Sequence, residues 1–275
     1  IYNTEKYEDH FFFILKKWYK PNIISKLTKI RNSIIKIKSK RNRLFFWYVF
    51  IDITRKFSNT RSSTFKLHIR KYEDIEKIPL NVYEEYFQNI ERKLSYFSKH
   101  IKVSLKKCDS SKYVKKIPDN FFDMIVTSPP YGDNKTTVPY GQFSNLALRW
   151  IDKKDLNLDE NDLLNYSSID SISLGSKRQT YTNEIYNNII STCIANNISY
   201  EKQFKIYDFM YAYFDILKEF TRITRKYIVF TLGNRRVDGH IINLTEMTKE
   251  FMMLYGFNVE DEYLRELPFK RIPLY

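Results

Sequence analysis

The chain has 275 residues, with 46 Lys and Arg against 32 Asp and Glu, a net charge of +14 and a pI of about 9.4. Hydrophobic residues make up 43 % and are interleaved with charge, which argues against a disordered chain, and no apolar run is long enough to span a bilayer. The two cysteines, Cys108 and Cys193, are too few for a disulfide framework, and no Cys/His cluster has zinc-ligand spacing, so no metal is expected.

The length suits one α/β domain with an insertion, or two small domains. The opening IYNTEKYEDHFFFILKKWYK has acids before its apolar patch and no small-residue cleavage site, so it does not read as a secretory signal. The expectation is a cytoplasmic protein with no membrane contact. A strongly basic domain suggests a polyanionic partner, usually nucleic acid. Codon bias toward Lys, Ile, Asn, Phe and Tyr explains part of the lysine excess. It explains less well why every charged side chain from Lys16 to Arg43 is positive.

Taken in order, residues 8–20, 23–38 and 43–58 read as helices, the second with Ile23, Ile24, Leu27, Ile30, Ile34 and Ile35 at helical spacing. FSNTRSSTFKLHIR (57–70) reads as a polar, basic loop, and 82–100 as a helix. IKVSLKK (101–107) alternates and predicts a strand. FFDMIVT (121–127) is an apolar run stopped by Ser128–Pro129–Pro130, the pattern of a buried parallel strand at its carboxyl end. A helix is expected at 142–152, and 153–199 reads as a polar insertion or target-contacting region rather than core. A long amphipathic helix over 201–225 leads into a strand at 226–232 and the loop GNRRVDG. Residues 240–255 read as a helix capped by Gly256, and FNVEDEYLREL as the start of another strand. This alternation predicts a doubly wound parallel sheet, in which ligands sit beyond the carboxyl ends of the strands.

Thr127–Ser128–Pro129–Pro130–Tyr131 stands at such an end. An exocyclic base amine is conjugated with its ring and is a poor nucleophile. Two acceptors aimed at its hydrogens, the Ser128 side chain and the Pro129 carbonyl, could pull it toward sp³ geometry. The two prolines hold that carbonyl rigid, and Tyr131 offers a flat face for a base rotated out of the duplex. Methyl transfer would then be direct, with no covalent enzyme intermediate.

This pentapeptide resembles motif IV of the DNA amino-methyltransferases, and its Thr-Ser-Pro-Pro-Tyr form looks most like the N4-cytosine members. The continuation GDNKTTVPYGQFSNLALRW and the earlier S-x-TR-x-x-x-FKL are similar to stretches of certain restriction-modification methylases. The resemblance covers roughly residues 45–150. It implies a Rossmann-like fold of the S-adenosylmethionine-dependent type and transfer of a methyl group to N4 of a flipped cytosine. It also implies double-stranded DNA as partner and a cognate restriction endonuclease in the same system. By that likeness Asp109 and Thr127 belong at the cofactor, and Tyr140 and Gln142 line the base pocket. Arg61, Lys66, Arg235 and Arg236 suit phosphate contacts, or equally a solvated surface. The expected division is a helical, basic region at 1–100, a core with the motif at 101–152, the insertion at 153–199 and the rest of the core at 200–275.

One part of the family pattern is missing. Its members carry a Gly-x-Gly loop against the methionine part of the cofactor, where glycine permits close approach. Here the six glycines are Gly132, Gly141, Gly175, Gly233, Gly239 and Gly256, and no two are separated by one residue. The α/β sheet is therefore expected to be incomplete. The loop lies upstream of Ile1, on a partner subunit, or is lost; the absence of an initiator methionine favours the first. An N6-adenine methyltransferase is the alternative, and a non-catalytic DNA-binding fragment of the same fold the second. A cytosine-C5 enzyme would need a Pro-Cys nucleophile, but Cys108 follows Lys107 and Cys193 follows Thr192.

Overall fold

The computed structural model describes residues 15–64, 66–98, 102–106, 108–132, 140–156, 180–194 and 198–265. Its longer helices are α1 (Pro21–Ile35), α2 (Lys40–Lys56), α3 (Val82–Leu94), α4 (Tyr140–Trp150), α5 (Glu184–Cys193), α6 (Tyr200–Ile223) and α7 (Leu244–Leu254). Its strands are β1 (Phe122–Thr127), β2 (Thr224–Phe230), β3 (Arg235–Val237) and β4 (His240–Ile242). The chain forms two compact units. Residues 1–105 and 137–173 make the first, and residues 106–136 and 174–275 the second. This division cuts across the boundaries expected from sequence, because α4 packs with the N-terminal helices and α5 with the C-terminal ones.

The first unit is helical. Pro21 opens α1, where its missing N–H costs nothing, and Ile23, Ile24, Leu27, Ile30 and Ile34 face inward as their spacing predicts. Ser39 caps α2 by accepting the Asn42 N–H, and Trp47, Val49, Phe50 and Ile53 fill the same core. Trp150, at the end of α4, meets the rings of Tyr19 and Phe50 edge-on at 5.7 and 6.0 Å. Asp155, in the single helical turn Lys153–Leu156, has its side chain only 3 % exposed. It takes a two-pronged hydrogen bond from the Arg43 guanidinium, at 2.8 Å to each oxygen, and a third from Trp47 Nε1 at 2.9 Å. The Arg43 hydrogen bond, opposed by burial, holds its carboxyl below the usual carboxylate range.

The second unit packs α5, α6 and α7 around Tyr186, Ile190, Phe209, Phe214, Leu217 and Phe251. The rings of Phe214 and Phe251 stack at 4.7 Å. Helix α6 runs directly into β2, which pairs in parallel with β1 in the register Met124 to Tyr227, Ile125 to Ile228, Val126 to Val229 and Thr127 to Phe230. Arg222, one residue before the end of α6, fixes this arrangement. Its guanidinium donates to the carbonyls of Val114 and Ile117 at 3.0 and 2.8 Å, and to the carboxylates of Asp119 and Glu219. The Asn120 N–H donates to the Arg222 carbonyl at 2.9 Å. Gly256 (φ 82°) ends α7 as expected: its N–H bonds to Met253 and that of Phe257 to Met252, the paired closure of a left-handed cap.

Several expectations are corrected. Residues 102–106 form no strand; their alternation lacks a pairing partner among the described residues, and Val103 and Leu105 are exposed. Strand β1 is parallel but not buried. Phe122, Ile125 and Thr127 are only half-buried, while Met124 and Val126 stand 50 % and 70 % exposed beside Tyr227 and Val229. Among the described residues the parallel sheet has two strands and helical cover on one face, so the full doubly wound sheet is not present. GNRRVDG is not a loop throughout, because Arg235–Val237 pairs antiparallel with His240–Ile242 across an Asp238–Gly239 turn with positive φ at both residues. Residues 184–193 are core rather than polar insertion, since Tyr186, Ile189 and Ile190 are buried at helical spacing. Residues 257–265 form no strand. The expected elements at 8–14, 157–179, 195–197 and 266–267 lie outside the described residues. Among the described residues no helix is long and apolar enough to cross a membrane.

Asp155→Asn is expected to lower the melting midpoint at neutral pH by several degrees. Because the folded pKa of Asp155 is depressed, its contribution is present above the unfolded pKa of about 3.9 and is lost as pH falls through the folded value. The difference between wild type and variant, followed by thermal melts from pH 7 downward, should therefore narrow under acid.

Candidate functional site

The ladder between β1 and β2 extends one step beyond the strands, with the Thr231 N–H donating to the Thr127 carbonyl at 2.9 Å. Ser128 then leaves the sheet at its carboxyl end. Pro129 and Pro130 follow, half-buried, and neither can donate to a continued ladder. Ser128 is exposed, and its Oγ lies 3.3 Å from the Tyr131 hydroxyl. Tyr131 is half-buried against the core of the second unit. The next residue, Gly132, adopts φ 85°, which turns the chain away from the strand.

Gly233, which the sequence places in the loop at the carboxyl end of the second strand, joins the site. A Cβ at position 233 would stand 3.2 Å from Tyr131 Cε2 and 3.3 Å from Cδ2. The absence of a side chain there lets the ring lie against the backbone after β2. The signal was available in sequence: a glycine just past the second parallel strand, where ligands of such sheets gather. Asn234 next to it anchors the turn to α7, its Oδ1 accepting from the N–H and hydroxyl of Thr245 at 3.1 and 3.2 Å.

Thr127 is half-buried, and its carbonyl is taken by Thr231. Asp109 starts the single helical turn Ser110–Tyr113, accepting from the Ser111 hydroxyl at 2.6 Å and the Ser111 N–H at 3.0 Å. The Ser111 hydroxyl bond is the main cause of its lowered pKa. Its carboxylate makes no hydrogen bond to 127–131, and the strand expected in front of it is not formed.

The other candidates fall in both units. In the first, Arg61 and Lys66 are exposed on the 57–70 segment. Tyr140 is exposed at the start of α4, and Gln142, half-buried on the same helix, accepts the Leu67 N–H through Oε1 at 3.3 Å. Gln142 thus holds the basic segment in place. In the second, Arg235 lies in β3, and the guanidinium of exposed Arg236 donates to the Gly239 carbonyl at 3.2 Å within the hairpin.

The glycines do not fit a cradle for the methionine part of S-adenosylmethionine. Gly141 lies within α4, Gly233 is covered by Tyr131, and Gly132, Gly239 and Gly256 serve turns or a helix cap. Gly175 lies outside the described residues. Among the described residues no pair of glycines forms such a cradle.

No family model and no solved structure matches the chain. The chain is similar to the type II methyltransferase M.MvaI of Kocuria varians, at 30 % identity over 279 aligned positions. The match takes in 93 % of this chain, which spans only 60 % of the length of that relative.

Proposed function

We propose that this chain carries the base-handling part of a site-specific DNA amino-methyltransferase of a restriction-modification system, acting on N4 of a cytosine flipped out of double-stranded DNA. The observation that carries the reading is Ser128–Tyr131 at the carboxyl end of a parallel strand, with the Ser128 hydroxyl open to solvent and the Tyr131 ring seated on Gly233. The similarity to a type II methyltransferase over nearly the whole chain supports it.

On this reading Tyr131 stacks on the extruded base. Ser128 donates its proton to the Tyr131 hydroxyl, and the Oγ lone pairs accept one hydrogen of the base amine. The Pro129 carbonyl, which no described donor takes, accepts the other. The two acceptors draw electron density onto the amine nitrogen and aim its lone pair away from them. Both are fixed before the base arrives, so little reorganisation is needed at reaction. S-adenosylmethionine supplies an electrophilic methyl group when bound. The loop that would hold it is not in this sequence, and the role of Asp109 and Thr127 near it rests on family likeness alone. Serine rather than Asp or Asn before Pro-Pro favours cytosine N4 over adenine N6. A restriction endonuclease reading the same site is the expected companion.

The reading is tested by single-molecule sequencing of DNA from a methylation-free host expressing the natural reading frame that contains this chain. N4-methylcytosine at one short motif is the expected result. N6-methyladenine would correct the base, and an unmodified genome in cells holding folded, DNA-bound protein would sink the enzyme reading. In the same frame Ser128→Ala should lower turnover by about 100-fold or more and leave duplex affinity within about twofold. Gly233→Ala should displace the Tyr131 ring and lower turnover roughly tenfold, with the melting midpoint little changed. A fluorescent base analogue at the target should report weaker base capture in that variant.

A further inference from the structure

The first unit contains an open cleft of about 580 Å³ lined by five cations, Lys56, Arg61, Arg70, Lys71 and Lys77, against one acid, Asp74. We infer that this cleft seats successive phosphates of the DNA backbone and supplies a hold on the duplex that does not depend on sequence. The inference rests on the reading that the substrate is duplex DNA, and it concerns a surface apart from the base-handling motif.

The cleft is built rather than accidental. The segment that carries Arg61 starts from the turn Ser58–Asn59–Thr60, which is buried although polar. The Asn59 N–H donates to the Trp18 carbonyl at 2.6 Å, and its side-chain amide to the Lys17 carbonyl at 3.2 Å. From this anchor the 57–70 segment folds back on itself through an antiparallel bridge of Thr60 with Ile69. The Arg61 N–H bonds to the His68 carbonyl and the Arg70 N–H to the Asn59 carbonyl, each at 2.8 Å. The Arg70 guanidinium is tethered through Nε to the Thr60 carbonyl at 2.7 Å, which leaves its other N–H groups to a ligand. Behind the segment, Arg55 donates to the Thr64 carbonyl at 2.6 Å and lies 4.2 Å from the Phe143 ring centre. Two helices therefore fix the backbone from which the cations project.

The charges are largely uncompensated. Lys56 pairs with Glu85 at 2.6 Å, but Arg61, Arg70, Lys71 and Lys77 meet no carboxylate within ion-pair distance among the described residues. No acid occurs from Ile53 to Lys71. Cations gathered in one concavity repel one another and focus a positive potential, which an anion relieves. The exposed hydroxyls of Ser62 and Ser63 add donors suited to phosphate oxygens. A fixed guanidinium fork and flexible ammonium groups in one groove match a row of phosphodiesters better than a single small anion.

The test is fluorescence anisotropy of a labelled duplex of about 20 base pairs with the full chain, titrated over a range of KCl concentrations. Lys71 and Lys77 are exposed and unpaired, so Lys71→Gln/Lys77→Gln should melt like wild type. It should bind at least roughly tenfold more weakly at moderate salt, and its log-affinity against log-salt slope should be shallower by about 2 units, close to one released counterion per lost phosphate contact. Lys112→Gln, on the second unit, is the control and should leave the slope unchanged. An unchanged slope in the double variant, or a wild type that does not bind the duplex, overturns the cleft. Sequencing for modified bases separates this result from the fate of the proposed reaction. A shallower slope without base modification upholds the cleft and refutes the enzyme, and modification with an unaltered slope does the reverse.

Discussion

The Arg222 guanidinium is the tie on which the second unit's geometry depends. It gathers the carbonyls of Val114 and Ile117 and two carboxylates at the point where α6 becomes β2. That brings the chain entering β1 alongside the start of β2, and parallel pairing follows residue by residue. Parallel strands cannot be joined by a short hairpin, so their register has to be set by something distant in sequence. Here 96 residues, 128–223, separate the end of β1 from the start of β2, and the arginine supplies the constraint. Once register is set, Ser128 emerges at the sheet end and Gly233 arrives beneath Tyr131.

The first unit shows where much of its positive run goes. Lys20 donates to the carbonyl of Glu76 and Arg31 to that of Trp150, each the last residue of a helix. Arg43 serves the carbonyls of Ile37 and Lys38 as well as Asp155. Helix C-termini leave carbonyls unsatisfied and carry partial negative charge, and cationic side chains answer both. The all-positive stretch from Lys16 to Arg43 is thus partly a capping device. The run keeps exposed cations of its own, Lys29, Lys36, Lys38, Lys40 and Arg41, and a second group lies around the 57–70 segment and the residues that follow it.

What was legible in the sequence was local. The apolar run ending at Pro129 gave β1, the spacing of Ile23 to Ile34 gave α1, and Gly256 gave the end of α7, because each is decided within a few residues. What was not legible depended on partners. Residues 102–106 alternate like a strand, but alternation makes a strand only beside another one. Tyr186, Ile189 and Ile190 sit among so many polar residues that their shared helical face shows only against α6 and α7. The Asp238–Gly239 hairpin was hidden by strands of three residues each, too short for a periodic signal. At the candidate site the motif itself stood out, and the position of Gly233 past β2 could be read, whereas its contact with Tyr131 shows only in the fold. The basic cleft was foreshadowed by Arg61 and the basic 57–70 loop, whereas Lys71 and Lys77 join it through the fold of the chain.

The open face of the parallel pair has a consequence of a different kind. Met124 and Val126 on β1, with Tyr227 and Val229 on β2, form an exposed apolar surface on a pair of strands whose outer edges meet no other strand among the described residues. Contact between two chains through such a surface is second order in protein, whereas the packing of the two cores is intramolecular and indifferent to dilution. Dilution therefore spares that face while leaving the two cores untouched.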